Sequence, residues 1–194
     1  MTDALGLWKI AADEPERLAV ADPDGHEFSY GELASLANVH ANGLRALGLK
    51  SGDGIAVALP NSIEFLSLYF GAMQIGLYFT PINWHLVGPE IAYIVNDSEA
   101  SVFVADDRFA DVAQAAANEI ELPAGKMFAI GEIPGFRPLD ELVAGRTDDR
   151  PDDRTAGGPM QYTSGTTGRP KGVRRALTGM DPDEGAGFAG LFLG

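Results

Sequence analysis

Cysteine is absent from the chain, which removes disulfides, thiolate metal sites and a cysteine nucleophile together. No apolar run approaches the roughly 18 residues needed to span a bilayer. Met1, Thr2 and Asp3 supply neither the basic start nor the apolar core of a secretion signal, so the expected address is cytoplasmic. Positive charge is scarce: 14 Lys and Arg stand against 28 Asp and Glu, a formal charge of −14. A nucleic-acid partner needs a basic stripe and is excluded on that ground. The 3 histidines fall in no HExxH or zinc-like spacing, and no GxSxG occurs. With 194 residues, 45% hydrophobic and 22% charged, the chain can still bury a real core, as one domain or as part of a larger one.

Strand-like and helix-like patterns alternate along the sequence. Residues 18–21 and 27–30 flank the turn tetrapeptide Asp22, Pro23, Asp24, Gly25 and read as a hairpin. Ser29 and Glu32 have capping-box spacing and open a helix with an apolar stripe at Leu33, Leu36, Ala37, His40, Leu44 and Leu47, ended by Gly48. Residues 54–59 form an apolar strand, and Asn61 with Glu64 starts a second helix running through Ile75. Further strands are expected at 78–82, 101–105, 127–130 and 160–163, with helices at 88–96, 109–120 and 139–144. Such alternation predicts an α/β fold: a layered, mostly parallel sheet flanked by helices. The stretch 146–158, charged in both signs around Pro151, reads as a solvated linker between an N-terminal α/β subdomain (1–145) and a C-terminal segment (159–194).

The chemistry concentrates in residues 162–173, YTSGTTGRPKGV. Glycines there let successive N–H groups converge on one concavity. The hydroxyls of Thr163, Ser164, Thr166 and Thr167 add donors, and Lys171 adds a mobile point charge. No Asp or Glu occurs from Thr155 to Met180, whereas Arg169, Lys171, Arg174 and Arg175 all do. A basic island in an acidic chain predicts a local site for a polyanion such as a triphosphate. The order is not that of a Walker A loop, because Pro170 precedes Lys171 and Gly172 follows it.

Other signals read as structural. The GxGxxG match at 185–190 follows an acidic stretch rather than a strand, and is taken as a coincidence of small residues. His40 reads as a satisfied core residue, His26 and His85 as surface groups, and Phe65, Tyr69 and Phe70 as core aromatics.

YTSGTTGRPKGV resembles the phosphate-binding motif of the adenylate-forming superfamily, which includes acyl-CoA synthetases, luciferases and peptide-synthetase adenylation domains. Looser resemblances lie upstream in FSYGEL at 28–33, GDGIAV at 52–57 with Pro60 and Asn61, and GLYFTPIN at 76–83. The resemblance implies the N-terminal portion of an ATP-dependent, AMP-forming acid–thiol ligase. Such an enzyme activates a carboxylic acid, here expected to be a fatty acid, as an acyl-adenylate and passes it to coenzyme A. By motif, Thr163, Ser164, Gly165, Thr166, Thr167 and Gly168 would wrap the β- and γ-phosphates of ATP. Lys171 would be the catalytic cation, and Thr166 would serve Mg²⁺. The family's adenine, hinge and acyl elements are expected downstream of Gly194. The chain alone is therefore expected to be inactive and to expose surface able to self-associate. A non-catalytic nucleotide-binding or interaction module that keeps only the phosphate loop remains the alternative.

Overall fold

The computed structural model of the chain describes residues 6–22, 25–163 and 169–184. An N-terminal helix, α1 (Leu7–Asp13), has no side-chain cap at Gly6; Leu7 and Trp8 hold it by burial against Leu33, Ala34 and Ala37. β1 (Leu18–Ala21) and β2 (Glu27–Ser29) form the expected antiparallel hairpin. α2 (Tyr30–Ala46) opens with the full capping box. Ser29 Oγ accepts from the Glu32 N–H at 3.2 Å, and Glu32 Oε2 accepts from the Ser29 N–H at 2.7 Å, an arrangement worth about 1 kcal/mol.

The centre is a six-stranded sheet of β3 (Gly54–Ala58), β4 (Tyr78–Pro81), β5 (Ala100–Asp106), β6 (Met127–Ile130), β7 (Arg137–Pro138) and β8 (Gly158–Pro159). Its order is β7-β6-β5-β3-β4-β8, and every neighbouring pair is parallel. Parallel strands need crossovers, supplied by α3 (Ile63–Gln74), α4 (Gly88–Asp97) and α5 (Ala110–Ala117); α6 (Asp140–Val143) follows β7. Two boundaries differ from the sequence pattern. Ser62, not Asn61, caps α3, because its Oγ reaches the Phe65 N–H at 3.2 Å. The helix expected over 109–120 begins as a 3-10 turn, Asp107–Phe109, set by the Asp106 carboxylate accepting from the Arg108 N–H.

Side-chain alternation along the strands sorts the core into two layers. Ile55, Val57, Val102, Val104 and Phe128 face α2, α3 and α6, where Phe79, Leu44, Leu68 and Leu142 fill the space. Ala56, Ala58, Ala105 and Ala129 face α4 and α5, whose own contacts include Ile91, Val95, Ala113 and Ala116. Small residues on that second face let α4 and α5 lie close to the sheet. Phe79, Phe103 and Phe128 are essentially fully buried, each contributing about 1.5–3 kcal/mol by leaving water. Phe65 and Tyr69 pack edge-on against Phe79, and Phe70 packs edge-on against Tyr69, as their core reading requires. Among the described residues no helix is long and apolar enough to cross a membrane.

Within the mixed-charge stretch, residues 147–153 run along α2 and are hydrogen-bonded to it. The Asn38 amide donates to the Asp148 carbonyl at 2.9 Å, and the Asn42 amide reaches the Thr147 and Asp149 carbonyls at 2.9 and 3.0 Å. Arg154, its side chain 3% exposed, lies 4.8 Å from the Trp8 ring centre and pairs with Asp183 at 3.1 Å. α1, α2 and Asp183 are thereby tied to one stretch of chain.

His40 is buried between α2 and α3, with Nδ1 donating to the Leu36 carbonyl at 3.0 Å. Burial holds its pKa below the ordinary 6.5, outweighing the opposite pull of that bond and of Glu64. A depressed value means the unfolded chain binds the proton first. The stability due to neutral His40 is therefore complete above about pH 6.5 and lost as pH falls below it. Urea midpoints measured from pH 8 to 5 should drop less steeply for His40→Gln than for the wild type. Equal slopes would show that His40 is not the buried titrating group. A second outcome concerns Gly71, where a Cβ would stand 2.8 Å from the Ala37 carbonyl oxygen and 3.1 Å from the Ala41 nitrogen. Those are backbone atoms of α2 and cannot swing aside. Gly71→Ala should cost about 1–3 kcal/mol by forcing the helices apart, more than the roughly 1 kcal/mol gained in helix propensity. Thermal unfolding would read this as a lower midpoint.

Candidate functional site

β8 sits at the sheet edge, where Pro159, lacking an N–H, is tolerated. The Met160 N–H still bonds the Phe79 carbonyl at 2.8 Å, and then the chain leaves the sheet. The strand expected over 160–163 is thus divided. Its second part, β9 (Gln161–Thr163), turns away and pairs antiparallel with β10 (Lys171–Val173). The register is Thr163 with Lys171, Tyr162 with Gly172 and Gln161 with Val173. Because β8 is parallel to the rest, the hairpin emerges at the carboxyl end of the sheet, where open α/β sheets gather their ligands.

Alternation divides the hairpin into two faces. Thr163, Lys171, Gln161 and Val173 are exposed, while Tyr162 and Gly172 are half-buried on the opposite face. Facing residues in an antiparallel pair lie side by side. A hydroxyl and an ammonium therefore stand together on solvent at the base of the connection 164–170. Gly172 leaves room for its neighbours: a Cβ there would lie 2.6 Å from Met160 Cε and 2.9 Å from Tyr162 Cζ, so those side-chain ends would have to move. Of the residues assigned to phosphate from the sequence, Thr163 and Lys171 are brought together here. Ser164, Gly165, Thr166, Thr167 and Gly168 lie outside the described residues, as does the GxGxxG match at 185–190.

Of the other cations of the basic island, Arg169 and Arg174 have side-chain partners, while Arg175 is exposed and is bonded through its backbone carbonyl. Arg169 is exposed, with its guanidinium 5.1 Å from the centre of the Tyr93 ring. Arg174 pairs with Glu99 at 3.0 Å, donates to the Gly52 carbonyl at 2.9 Å and lies 4.3 Å from the Tyr78 ring centre. The Tyr78 hydroxyl in turn donates to the Arg175 carbonyl at 2.8 Å. Lys171 has no salt-bridge partner among the described residues. Among the described residues no group of three or more His, Asp and Glu is placed to hold a metal ion.

Two side chains outside any conspicuous motif, Tyr93 and Asp97, complete the surroundings. The Tyr162 hydroxyl donates to Asp97 Oδ2 at 2.6 Å, and the Tyr93 hydroxyl donates to the Pro170 carbonyl at 3.0 Å. Burial first, and the bond to Asp97 second, hold the Tyr162 hydroxyl far above the ordinary tyrosine value, so it stays protonated at neutral pH. Burial and the Asp97 charge raise Tyr93 as well, with Arg169 opposing them. The spacing of Tyr93 and Asp97, one turn apart on α4, is the sequence signal that places them on one face. A cavity of about 870 Å³ opens beside them, between α4 and the turn at Arg169 and Pro170. Glu90, Asp97 and Glu119 line it and neither Thr163 nor Lys171 does, so its acidic walls disfavour a polyphosphate.

Comparison with known proteins agrees with this geometry. Residues 7–176 match the family model of the AMP-binding enzymes. A long-chain-fatty-acid–CoA ligase of Mycobacterium tuberculosis is 34% identical over 171 residues, covering 86% of this chain and 33% of the relative. A feruloyl-CoA synthase of Amycolatopsis is 35% identical over 175 residues, covering 87% of this chain and 32% of that protein. The solved structure of a Mycobacterium tuberculosis fatty acyl CoA synthetase superposes with a TM-score of 0.72 at 28% identity, covering 88% of this chain and 33% of its own. The chain spans about a third of the length of the curated relatives it matches. On the six-stranded parallel sheet, the hairpin at its carboxyl end and the match over residues 7–176, the chain belongs to the family of AMP-binding enzymes.

Proposed function

We propose that the chain supplies the phosphate-binding part of an ATP-dependent, AMP-forming acid–thiol ligase, acting on a carboxylic acid and coenzyme A in the cytoplasm. The observation that carries this reading is the pairing of Thr163 with Lys171 on the exposed face of a hairpin at the carboxyl end of a parallel sheet. A fatty acid is the first choice of substrate, supported by the long-chain-fatty-acid–CoA ligase among the relatives; the feruloyl-CoA synthase makes an aromatic acid the competing choice.

In this reading Thr163, Ser164, Gly165, Thr166, Thr167 and Gly168 bind the β- and γ-phosphates of ATP through amides and hydroxyls, and the Thr166 hydroxyl is the protein contact for magnesium. The Lys171 ammonium offsets charge on the departing pyrophosphate when the substrate carboxylate attacks the α-phosphorus. Displacement at phosphorus depends on positioning and charge neutralisation more than on covalent catalysis. Lys171 suits that task because it is exposed and its position is fixed by strand pairing rather than by a competing carboxylate.

Lys171→Ala should weaken ATP binding by about ten- to a hundredfold, the worth of a charged hydrogen bond, with little change in AMP binding and an unchanged unfolding midpoint. Calorimetric titration with each nucleotide measures this. Equal ATP affinity in variant and wild type would remove Lys171 from the site. Carboxylate-dependent ATP–pyrophosphate exchange, run with palmitate and with ferulate, tests the reaction and ranks the two acid classes. Because the chain alone is expected to be inactive, exchange is read with the chain joined to the downstream part of a related ligase; ATP binding with no exchange there for any acid would favour the binding-module alternative.

A further inference from the structure

We propose that Tyr93 and Asp97 of α4 are positioning residues for the phosphate site, clamping both feet of the hairpin so that Thr163 and Lys171 are presented together. This rests on the function proposed above. One foot is held at Tyr162, whose hydroxyl donates to Asp97 Oδ2 at 2.6 Å. The other is held at Pro170, whose carbonyl accepts from the Tyr93 hydroxyl at 3.0 Å, with the Arg169 guanidinium 5.1 Å from the same ring. Tyr162 is next to Thr163 and Pro170 is next to Lys171, so each contact acts one residue from a proposed phosphate ligand.

Several observations distinguish this from incidental surface bonding. Residues four apart on a helix share a face, so a single stretch of α4 reaches both strands of the hairpin. Asp97 is the last residue of α4, where the helix dipole disfavours a carboxylate and no basic residue occupies the last turn. A local rule broken at such a place calls for a compensating contact, and the short bond to Tyr162 supplies one. The hairpin is also held at its ends, by Met160 on the Phe79 carbonyl and Arg174 on Glu99 and Gly52, but the two α4 contacts are the ones that lie next to Thr163 and Lys171. Its two strands pair with one another and not with the six-stranded sheet, and its outer face is exposed. α4 itself is rigidly seated, with Ile91, Ala92, Ile94 and Val95 buried against the sheet. The hairpin is therefore tied to a buried helix through two tyrosine hydroxyls.

The test uses the 194-residue chain and two readouts: amide hydrogen exchange at 161–163 and 171–173, and calorimetric affinity for ATP and for AMP. Asp97→Ala and Tyr162→Phe should each speed exchange at these amides and weaken ATP binding by about five- to tenfold, leaving AMP binding and the unfolding midpoint nearly unchanged. The double variant should be no worse than either single variant, because both remove one bond. Asp97→Asn, which keeps an oxygen to accept from Tyr162, should restore most of the ATP affinity. Tyr93→Phe should speed exchange at 171–173 more than at 161–163. Wild-type exchange rates in the single variants would overturn the clamp, as would additive losses or equal weakening of ATP and AMP. If the wild-type chain binds no ATP, the proposed function falls, while the exchange comparison still decides whether α4 holds the hairpin.

Discussion

The backbone ladder between β4 and β8 carries the segment on which the proposed chemistry depends. Gly158 pairs with Tyr78 and Pro159 with Phe79, and Met160 adds one more bond to the Phe79 carbonyl. Gly157 and Thr155 extend the attachment backward, through bonds to the Met73 and Gln74 carbonyls at the end of α3. A chain fixed this way has its direction dictated by the parallel sheet, so the residues after Met160 must leave at the carboxyl end of the strands. The hairpin of β9 and β10 is what that constraint delivers. Its Thr163 and Lys171 owe their shared exposed face to pairing register alone.

Local chemistry is legible in the sequence wherever the forces are local. The Ser29 and Glu32 capping box, the short apolar runs at 54–58 and 102–105, and the glycine and proline punctuation of the crossovers each specify their element without distant help. The boundary at Asn61 fails for an equally local reason: two adjacent residues are both good caps, and only the observed reach of Ser62 Oγ to Phe65 decides. The division of 160–163 is not local. Gln161, Tyr162 and Thr163 have the same strand propensity whichever partner they take, and the choice of Lys171–Val173 over β4 is made by tertiary packing. In the same way, the motif exposes Thr163 and Lys171 by composition, while Tyr93 and Asp97 are silent until α4 is seen beside the hairpin.

The charge balance acquires a structural meaning from the pairs actually formed. Arg45 lies against Asp153, Arg108 against Asp106, and Arg150 and Arg154 share Asp183. These are cations used to fasten segments, with the exposed members each worth under about 1 kcal/mol and the buried Arg154 more. Within the basic island, Arg174 fastens the chain after β10 to Glu99 and Gly52. Arg169 is committed to the Tyr93 ring.

Lys171 differs from these in a way that follows from its neighbours. Its strand partner is a threonine, the residues beside it on the exposed face carry no carboxylate, and no acid occurs between Thr155 and Met180. In a chain of net charge −14, long-range attraction for a polyanion is unfavourable, so recognition must come from contacts within a few ångströms. A single unpaired ammonium serves only if its position is held, because a lysine side chain is long and loses entropy on binding. Strand register fixes its Cα, and the contacts from α4 fix the strands. The acidic exterior and the rigid foot of the hairpin are thus two sides of one requirement: where attraction at a distance is missing, geometry at the site must be set before the ligand arrives.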